Sequence, residues 1–166
     1  MRSVNEVGWI NKFLSPESDI AAHQIQSVLY FSLLWNLFEG QVCETEADIP
    51  KIKRAVQTLQ RNGNLRIAEY DDCREYFIRR YVENGNVSPL FDQLNLRTQN
   101  KSLVRDMLEG RETRECEVLQ ALLLIAYRYR NNLFHGVKSL PDLPSQNSNF
   151  QNANRLIMIF MDQWQT

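Results

Sequence analysis

Residues 112–134 read ETRECEVLQALLLIAYRYRNNLF, an uninterrupted stretch without glycine or proline. The stretch is charged where it begins, purely apolar from Ala121 to Tyr127, and rich in arginine and asparagine where it ends. His135-Gly136 follows at a position typical of a helix C-terminus. We therefore predict one long helix from Glu112 to Phe134.

A second stretch without glycine or proline, Ile20 to Glu39, predicts another long helix. Residues 15–19, SPESD, precede it and offer capping side chains. Gly40 follows, where a helix often takes a left-handed stop. Because its apolar residues fall on nearly all sides, we expect a central helix that forms the spine of the fold with the first one.

Shorter segments with helical patterning account for much of the remaining chain. They cover Val4 to Leu14, Asp48 to Asn62, Asp71 to Asn84, Lys101 to Glu109 and Gln151 to Gln163, with a proline-containing loop from Val137 to Gln151. We find no repeat and no strand pair. The pattern predicts a single all-α domain over residues 1–166, a bundle of two long central helices and additional shorter ones.

Composition excludes several classes of protein. With 43% apolar and 23% charged residues, the chain is not disordered. The longest purely apolar stretch is too short to cross a membrane, and residues 1–14 lack the continuous apolar core of a secretory signal. Its three cysteines are far apart and odd in number, which favours reduced packing thiols. We therefore expect a cytoplasmic protein without membrane contact.

Charge is unevenly distributed despite a net charge of −1. Residues 1–50 carry two basic and seven acidic side chains, whereas residues 51–166 carry seventeen basic and thirteen acidic ones. The span from Glu117 to Asp142 has no acidic residue between its ends but holds two arginines, a lysine and a histidine. Such a basic zone suits a phosphate-bearing ligand. Alternatively, the cations only complement the negative end of a helix.

The string from Tyr127 to Gly136, YRYRNNLFHG, carries the most specific motif. Arg130-Asn131-x-x-x-His135 resembles the R-x4-6-H motif of the HEPN domain family, named for higher eukaryotes and prokaryotes nucleotide-binding. The RNNLFHG string is similar to the branch found in bacterial defence ribonucleases. The layout is similar too, with a helical bundle of this size, the motif on a late long helix and one helix after it.

This resemblance implies a HEPN-like fold and a metal-independent endoribonuclease without a cofactor. It also implies a homodimer in which the two motifs face each other across a cleft at the subunit interface. Members of the family act as toxins, as effectors that cut tRNA or mRNA, or in antiviral defence. The implied partners are an RNA substrate and an antitoxin or defence-system protein.

Metal-independent RNA cleavage uses the 2′-OH as an internal nucleophile and needs acid–base groups. His135 can take or give a proton near neutral pH, since an unperturbed histidine has a pKa of ~6.5. Arg130 would stabilise the phosphorane, because its planar fork fits phosphate oxygens. Asn131 would orient the histidine or the scissile phosphate. One such histidine per chain favours a site shared by two chains.

Helix geometry complicates the assignment of the arginine. On a straight helix Arg130 and His135 point ~140° apart, whereas Arg128, Asn131, Asn132 and His135 share one face. Either the helix unwinds near Gly136, or Arg130 reaches round into the cleft. We assign Arg130 the family role and Arg128 an auxiliary role in binding phosphate, with Asn132 and Lys138 as further auxiliary substrate contacts, although Arg128 also satisfies the spacing.

A polar stripe on the other long helix is a second candidate feature. Ser32, Asn36 and Glu39 follow at i, i+4 and i+7 on an otherwise apolar helix. If buried, they need polar partners. We predict that Glu39, with Asn36, orients Arg130 or His135. The alternative is a solvent-facing helix end.

The sequence leaves other functions open besides the ribonuclease, and it predicts where a dimer interface would lie. The chain is either the ribonuclease or a non-catalytic HEPN-like module that binds nucleotide or a partner, and a helical immunity or adaptor protein is a third class. We expect a dimer in solution, with the helix from Ala121 to His135 contributing to its interface, because that helix is apolar on both faces at first.

Overall fold

The helix that the quoted stretch predicts runs through the centre of an all-α domain. The computed structural model describes residues 4–14, 19–134 and 140–166. Its α-helices are α1 (Glu6–Leu14), α2 (Ala22–Val42), α3 (Ile49–Arg61), α4 (Asp71–Tyr81), α5 (Thr98–Leu108), α6 (Glu115–Phe134) and α7 (Asn147–Trp164). Short 3-10 segments occupy Ile67–Tyr70, Pro89–Leu94 and Leu140–Gln146. The all-α prediction is confirmed for the described residues.

Helix α6 is covered by other parts of the same chain on all sides of its apolar half. Every side chain from Ala121 to Ala126 is buried. The helix packs against α3, α5 and α7, so no apolar face remains for a second subunit there. The uncovered apolar face that we expected in the first half of the stretch 121–135 is therefore absent, and a contribution of its later residues to a dimer interface stays a prediction.

The main helix pair is α2 with α7, not α2 with α6 as the sequence suggested. Aromatic rings join the pair, with Phe31 against Phe150 and Phe38 against Phe160 at centroid distances of 5.1 and 5.4 Å. The opposite face of α2 is not covered. Leu29, Leu33 and Leu37 are each more than half exposed. Helix α2 is therefore a peripheral helix with an apolar outer face, which corrects the prediction of a central one.

Helix α2 also continues past the glycine that we expected to end it. Gly40 lies inside the helix, and a Cβ there would meet nothing within 4 Å. The chain leaves the helix at Cys43, and the left-handed residues are Glu44 and Thr45. The additional turn matters because it continues the helix beyond Glu39, which forms part of the candidate site.

A small hairpin follows α4 where we expected no strand. Helix α4 ends at Tyr81, and β1 (Val82–Glu83) pairs antiparallel with β2 (Asn86–Val87). Asn84 and Gly85 between them both have positive φ, 52° and 79°. Asn-Gly is the preferred pair for such a two-residue turn, so the hairpin replaces the last helical turn predicted up to Asn84.

The cysteines are free and serve as packing groups. Cys43 and Cys73 are buried, and Cys116 is half-buried. Burial, with a smaller contribution from the Glu39 carboxylate, raises the pKa of the Cys43 thiol to about 12. Burial likewise raises the pKa of Cys73 to about 11. Such thiols stay protonated and unreactive at neutral pH.

Across residues 4–14, 19–134 and 140–166, no helix combines the length and the hydropathy that crossing a membrane would require.

Candidate functional site

Arg130, in the last turns of α6, meets the C-terminal part of α2. Its Nη2 lies 3.5 Å from Oε1 of Glu39, and its guanidinium carbon lies 5.5 Å from the centre of the Phe134 ring. The Glu39 side chain is only 13% exposed. The same Oε1 accepts a hydrogen bond of 3.2 Å from the Ala47 backbone N–H, which fixes the carboxylate in place. Glu39 and the ring of Phe134 thus hold the guanidinium from two sides.

Arg130 keeps hydrogen-bonding capacity beyond these contacts. Its Nη1 donates to Oδ1 of Asn131 at 3.2 Å. Its Nε is buried and has no hydrogen-bond partner among the described residues. The buried Nε cannot reach a ligand, but a guanidinium has five N–H donors and the side chain is 30% exposed, so its outer nitrogens can serve an anion. The arrangement is that of a fixed cation rather than a fully neutralised ion pair.

Arg128 points to a different part of the chain. Its Nε donates a 2.8 Å hydrogen bond to the backbone carbonyl of Leu94, and its Nη2 lies 3.5 Å from Oδ1 of Asn132. Arg128 therefore anchors the end of the 3-10 segment Pro89–Leu94. The two arginines considered for the phosphate role lie on opposite sides of α6.

Asn132 belongs to the same anchor and not to an open surface. It is 2% exposed, and its Nδ2 donates to the backbone carbonyl of Gln93 at 3.2 Å. A side chain so buried and so engaged cannot contact substrate without breaking this link. The structure thus corrects the auxiliary substrate role of Asn132 to a structural one.

Asn131 lies between the two arginines. Besides accepting from Arg130, it lines a cleft of about 130 Å³ together with Arg128, Arg97 and Asn100. Tyr127, one turn earlier on α6, lines the same cleft. Of the three proposed catalytic residues, Arg130 and Asn131 lie among the described residues and are hydrogen-bonded to each other, whereas His135 lies outside them.

The polar stripe on α2 does not act as a unit. The Ser32 hydroxyl donates to the carbonyl of Val28 within its own helix at 3.1 Å. Asn36 is exposed, and no contact to Arg130 is found for it among the described residues. Glu39 alone reaches α6. The polar stripe therefore contributes one residue to the candidate site.

His135 and Lys138 lie outside the described residues, which stop at Phe134 and resume at Leu140. Helix α6 is regular up to Phe134. The roles of His135 in proton transfer and of Lys138 as an auxiliary contact stay predictions, and so does the unwinding of the helix near Gly136.

Sequence reasoning missed Arg97 and Asn100, which face α6 from the start of α5. Arg97 is the N-cap residue of α5 and is exposed. The available signal was weak, because a lone arginine in a segment of irregular pattern gives no hint of its distance from Arg128. Only the anchor of residues 93–94 on α6 brings the two together.

Within the described parts of the chain, no three histidine, cysteine or acidic side chains cluster as a metal site would need. Comparison with other proteins adds no identification: no protein-family model, no curated protein and no solved structure matches the chain.

Proposed function

We propose that this chain is a HEPN-type, metal-independent endoribonuclease that cleaves RNA by attack of the 2′-OH. The observation that carries the proposal is the Glu39–Arg130 pair at the end of α6. It holds a cation whose side chain is 30% exposed, five residues before the histidine that the motif requires. A preorganised cation of this kind is what a developing phosphorane needs.

Each residue then has a defined part in the chemistry. His135 of one subunit removes the 2′-OH proton, and its counterpart in the second subunit protonates the leaving 5′-oxygen. Arg130 binds the non-bridging oxygens as their charge grows. Asn131, bonded to Arg130 at 3.2 Å, limits how far the guanidinium can turn. The products would carry 2′,3′-cyclic phosphate and 5′-OH ends.

The proposed homodimer forms through the outer face of α2. Leu29, Leu33 and Leu37 form one row at i, i+4 and i+8, and Tyr30 beside them is also more than half exposed. Monomeric proteins rarely expose a large continuous apolar patch. Glu39 is the only Asp, Glu, Lys or Arg between Ala22 and Val42, so two copies of this row can meet without charge repulsion.

Two further observations favour a second copy as the occupant of this face. The row ends at Leu37, two residues before Glu39, so a contact through it lies next to the C-terminal part of α2 that holds the candidate site. Trp9 and Phe13 on α1, which precedes α2 in the chain, are also exposed, and their rings stack at 5.1 Å. A contact that includes them would bury more area than the row does by itself, and a stable interface buries about 800 Å² per partner.

Leu33→Glu is expected to convert the dimer to a monomer and to abolish RNA cleavage. The Leu33 side chain is 64% exposed in one chain, so the change leaves the subunit core intact and places two carboxylates against each other in a dimer. Sedimentation velocity at micromolar concentration measures the result.

Met158→Glu on α7 is the matched control, because Met158 is 47% exposed and lies on a different helix. It should remain dimeric and active. A wild-type protein that sediments only as a monomer, or a Leu33→Glu variant that stays dimeric, contradicts the proposed interface.

Cleavage is expected to proceed in EDTA. The mechanism uses a fixed arginine and a histidine where other nucleases use a metal ion. Purified protein is incubated with total RNA in excess EDTA, and the product ends are tested for cyclic phosphate. Loss of cleavage in EDTA with recovery on adding Mg²⁺ or Mn²⁺ would show that this mechanism is wrong.

The same experiment addresses the alternative function, a non-catalytic HEPN-like module that binds nucleotide or a partner. Intact RNA beside a folded dimer is the result that the alternative expects. For the catalytic form, the family resemblance suggests a bacterial defence or toxin–antitoxin role in the cytoplasm. We propose accordingly that an antitoxin or defence-system protein controls the activity.

A further inference from the structure

A cleft between the start of α5 and the last turns of α6 has an unusual lining. Its polar side chains are Arg97, Arg128, Asn100, Asn131 and Tyr127, and its apolar ones are Ile49, Leu96 and Leu124. Two arginines thus face a common space whose lining contains no carboxylate. Like charges placed together at a concave surface attract an anion.

Neither arginine is neutralised within the described part of the chain. Arg97 is exposed and forms no ion pair there, and Arg128 bonds only to the Leu94 carbonyl and to Asn132. Burial lowers the pKa of Arg128, and the charge of Arg97 lowers it further. A bound anion would relieve both the desolvation and the repulsion.

The size of the cleft limits the ligand. Its volume of about 130 Å³ is well below the ~300–1,000 Å³ typical of pockets for whole small molecules. One phosphate group fits such a space, with the arginines and asparagine amides as donors. The first turn of α5 has no acidic residue, so its positive end adds to the same field.

A basic groove continues from the cleft along α5. Leu96 belongs to both, and the groove is lined further by Thr98, Lys101, Ser102 and Arg105. Arg97, Lys101 and Arg105 are spaced at i, i+4 and i+8, about 6 Å apart along the helix. Asp92 pairs with Lys101 at 2.6 Å, which leaves the face with three cations and one carboxylate. Successive phosphates of an extended strand have a similar spacing.

We propose that the cleft between Arg97 and Arg128 binds a backbone phosphate of single-stranded RNA, and that the basic face of α5 guides the adjoining strand. This proposal rests on the proposed function and gives the RNA substrate a path. The strand passes Asn131 on one side of α6 and reaches Arg130 on the other. Arg97 is a binding residue in this scheme and takes no part in the chemistry.

The experiment measures binding of a fluorescent 2′-O-methyl oligouridylate by anisotropy. This probe lacks the attacking hydroxyl, so binding is measured whether or not the protein cleaves RNA. Arg97→Ala should weaken binding about tenfold, the loss expected for one charge-assisted hydrogen bond. It should also reduce the salt-dependence slope by about 0.7, the value for one phosphate contact to a single strand.

Two further variants keep the result interpretable. Arg79→Ala on α4 removes an arginine that is 70% exposed and paired only with Glu75, and it should bind as wild type does. Arg97→Glu should abolish binding while keeping the fold, because a carboxylate at the start of α5 favours the helix. The melting temperatures of all three variants show whether each one stays folded.

Competition with uridine monophosphate and with inorganic phosphate distinguishes the sources of phosphate. If uridine monophosphate and inorganic phosphate displace the oligonucleotide only at high concentration, and oligonucleotide binding depends on Arg97, the result supports the RNA path. Equal binding by wild type and Arg97→Ala, an equal loss in Arg79→Ala, or binding of free phosphate without the oligonucleotide overturns it. The binding measurement does not depend on cleavage. A protein that binds the probe through Arg97 but cleaves no RNA would therefore contradict the proposed function and leave the proposed binding site standing.

Discussion

His135→Ala is expected to reduce RNA cleavage by ~10²–10⁴-fold while the protein stays folded and dimeric. In the proposed mechanism the substitution removes the group that transfers the proton, and effects of this size are typical for such a group. Single-turnover cleavage of a fixed RNA measures the chemical step without product release. Melting temperature, measured beside it, reports any loss of stability.

The chain offers a matched control, because its only other histidine is His23. His23 is exposed near the start of α2, so His23→Ala should leave cleavage unchanged. If His135 only capped the end of α6, its replacement would cost about 1 kcal/mol of stability and leave the rate near wild type. Full activity in His135→Ala removes the motif from the mechanism.

The sequence predicted the helices well where the pattern was long and the caps were strong. Helix α6 begins within three residues of the predicted start and is helical through Phe134, the last described residue before Leu140. Helix α3 begins after Asp48, whose side chain accepts from the Lys51 N–H at 2.7 Å. Each of these signals is local, so no knowledge of the rest of the fold was needed.

The predictions that were wrong depend on which helices pack against each other. Helix α2 is apolar all round in sequence, and periodicity could not tell which face α7 would cover. Phe31, Trp35 and Phe38 became the buried side, and Leu29 and Leu33 stayed outside. The hairpin at Asn84-Gly85 is a different failure. Asn-Gly is a local turn signal, but it directly follows a helical pattern that continues to Asn84 without a break.

The candidate site shows the same division between local and distant information. The motif placed Arg130 and Asn131 side by side, and the contact of Glu39 with Arg130 was one of two that the polar stripe suggested. The cleft with Arg97 depends on a loop that Arg128 and Asn132 tie to α6. Sequence alone gives no distance across such a loop.

Arg130→Ala is expected to lower kcat by ~10²–10³-fold, the loss typical when one donor to a developing oxyanion is removed. KM should change less, because the charge that Arg130 stabilises grows mainly in the transition state. Arg128→Ala should instead raise KM more than it lowers kcat, and it should also cost stability, because its Nε holds the Leu94 carbonyl. Single-turnover kinetics at several RNA concentrations separate the two effects. This comparison decides which arginine serves the phosphorane.

Glu39→Gln then tests whether the carboxylate positions Arg130 or only packs against it. The amide keeps an acceptor for the Ala47 N–H but loses the charge that faces Nη2. We expect kcat to fall about tenfold with KM unchanged, since a freer guanidinium misses the geometry of the transition state. The stability cost should stay near 1 kcal/mol, because Arg130 is partly exposed and the pair is not ideal. Glu44→Gln, a few residues on and exposed, should leave both the rate and the melting temperature unchanged. A Glu39→Gln protein that melts earlier but cleaves at the wild-type rate would assign Glu39 to the fold, and the mechanism would then rest on Arg130 and His135 alone.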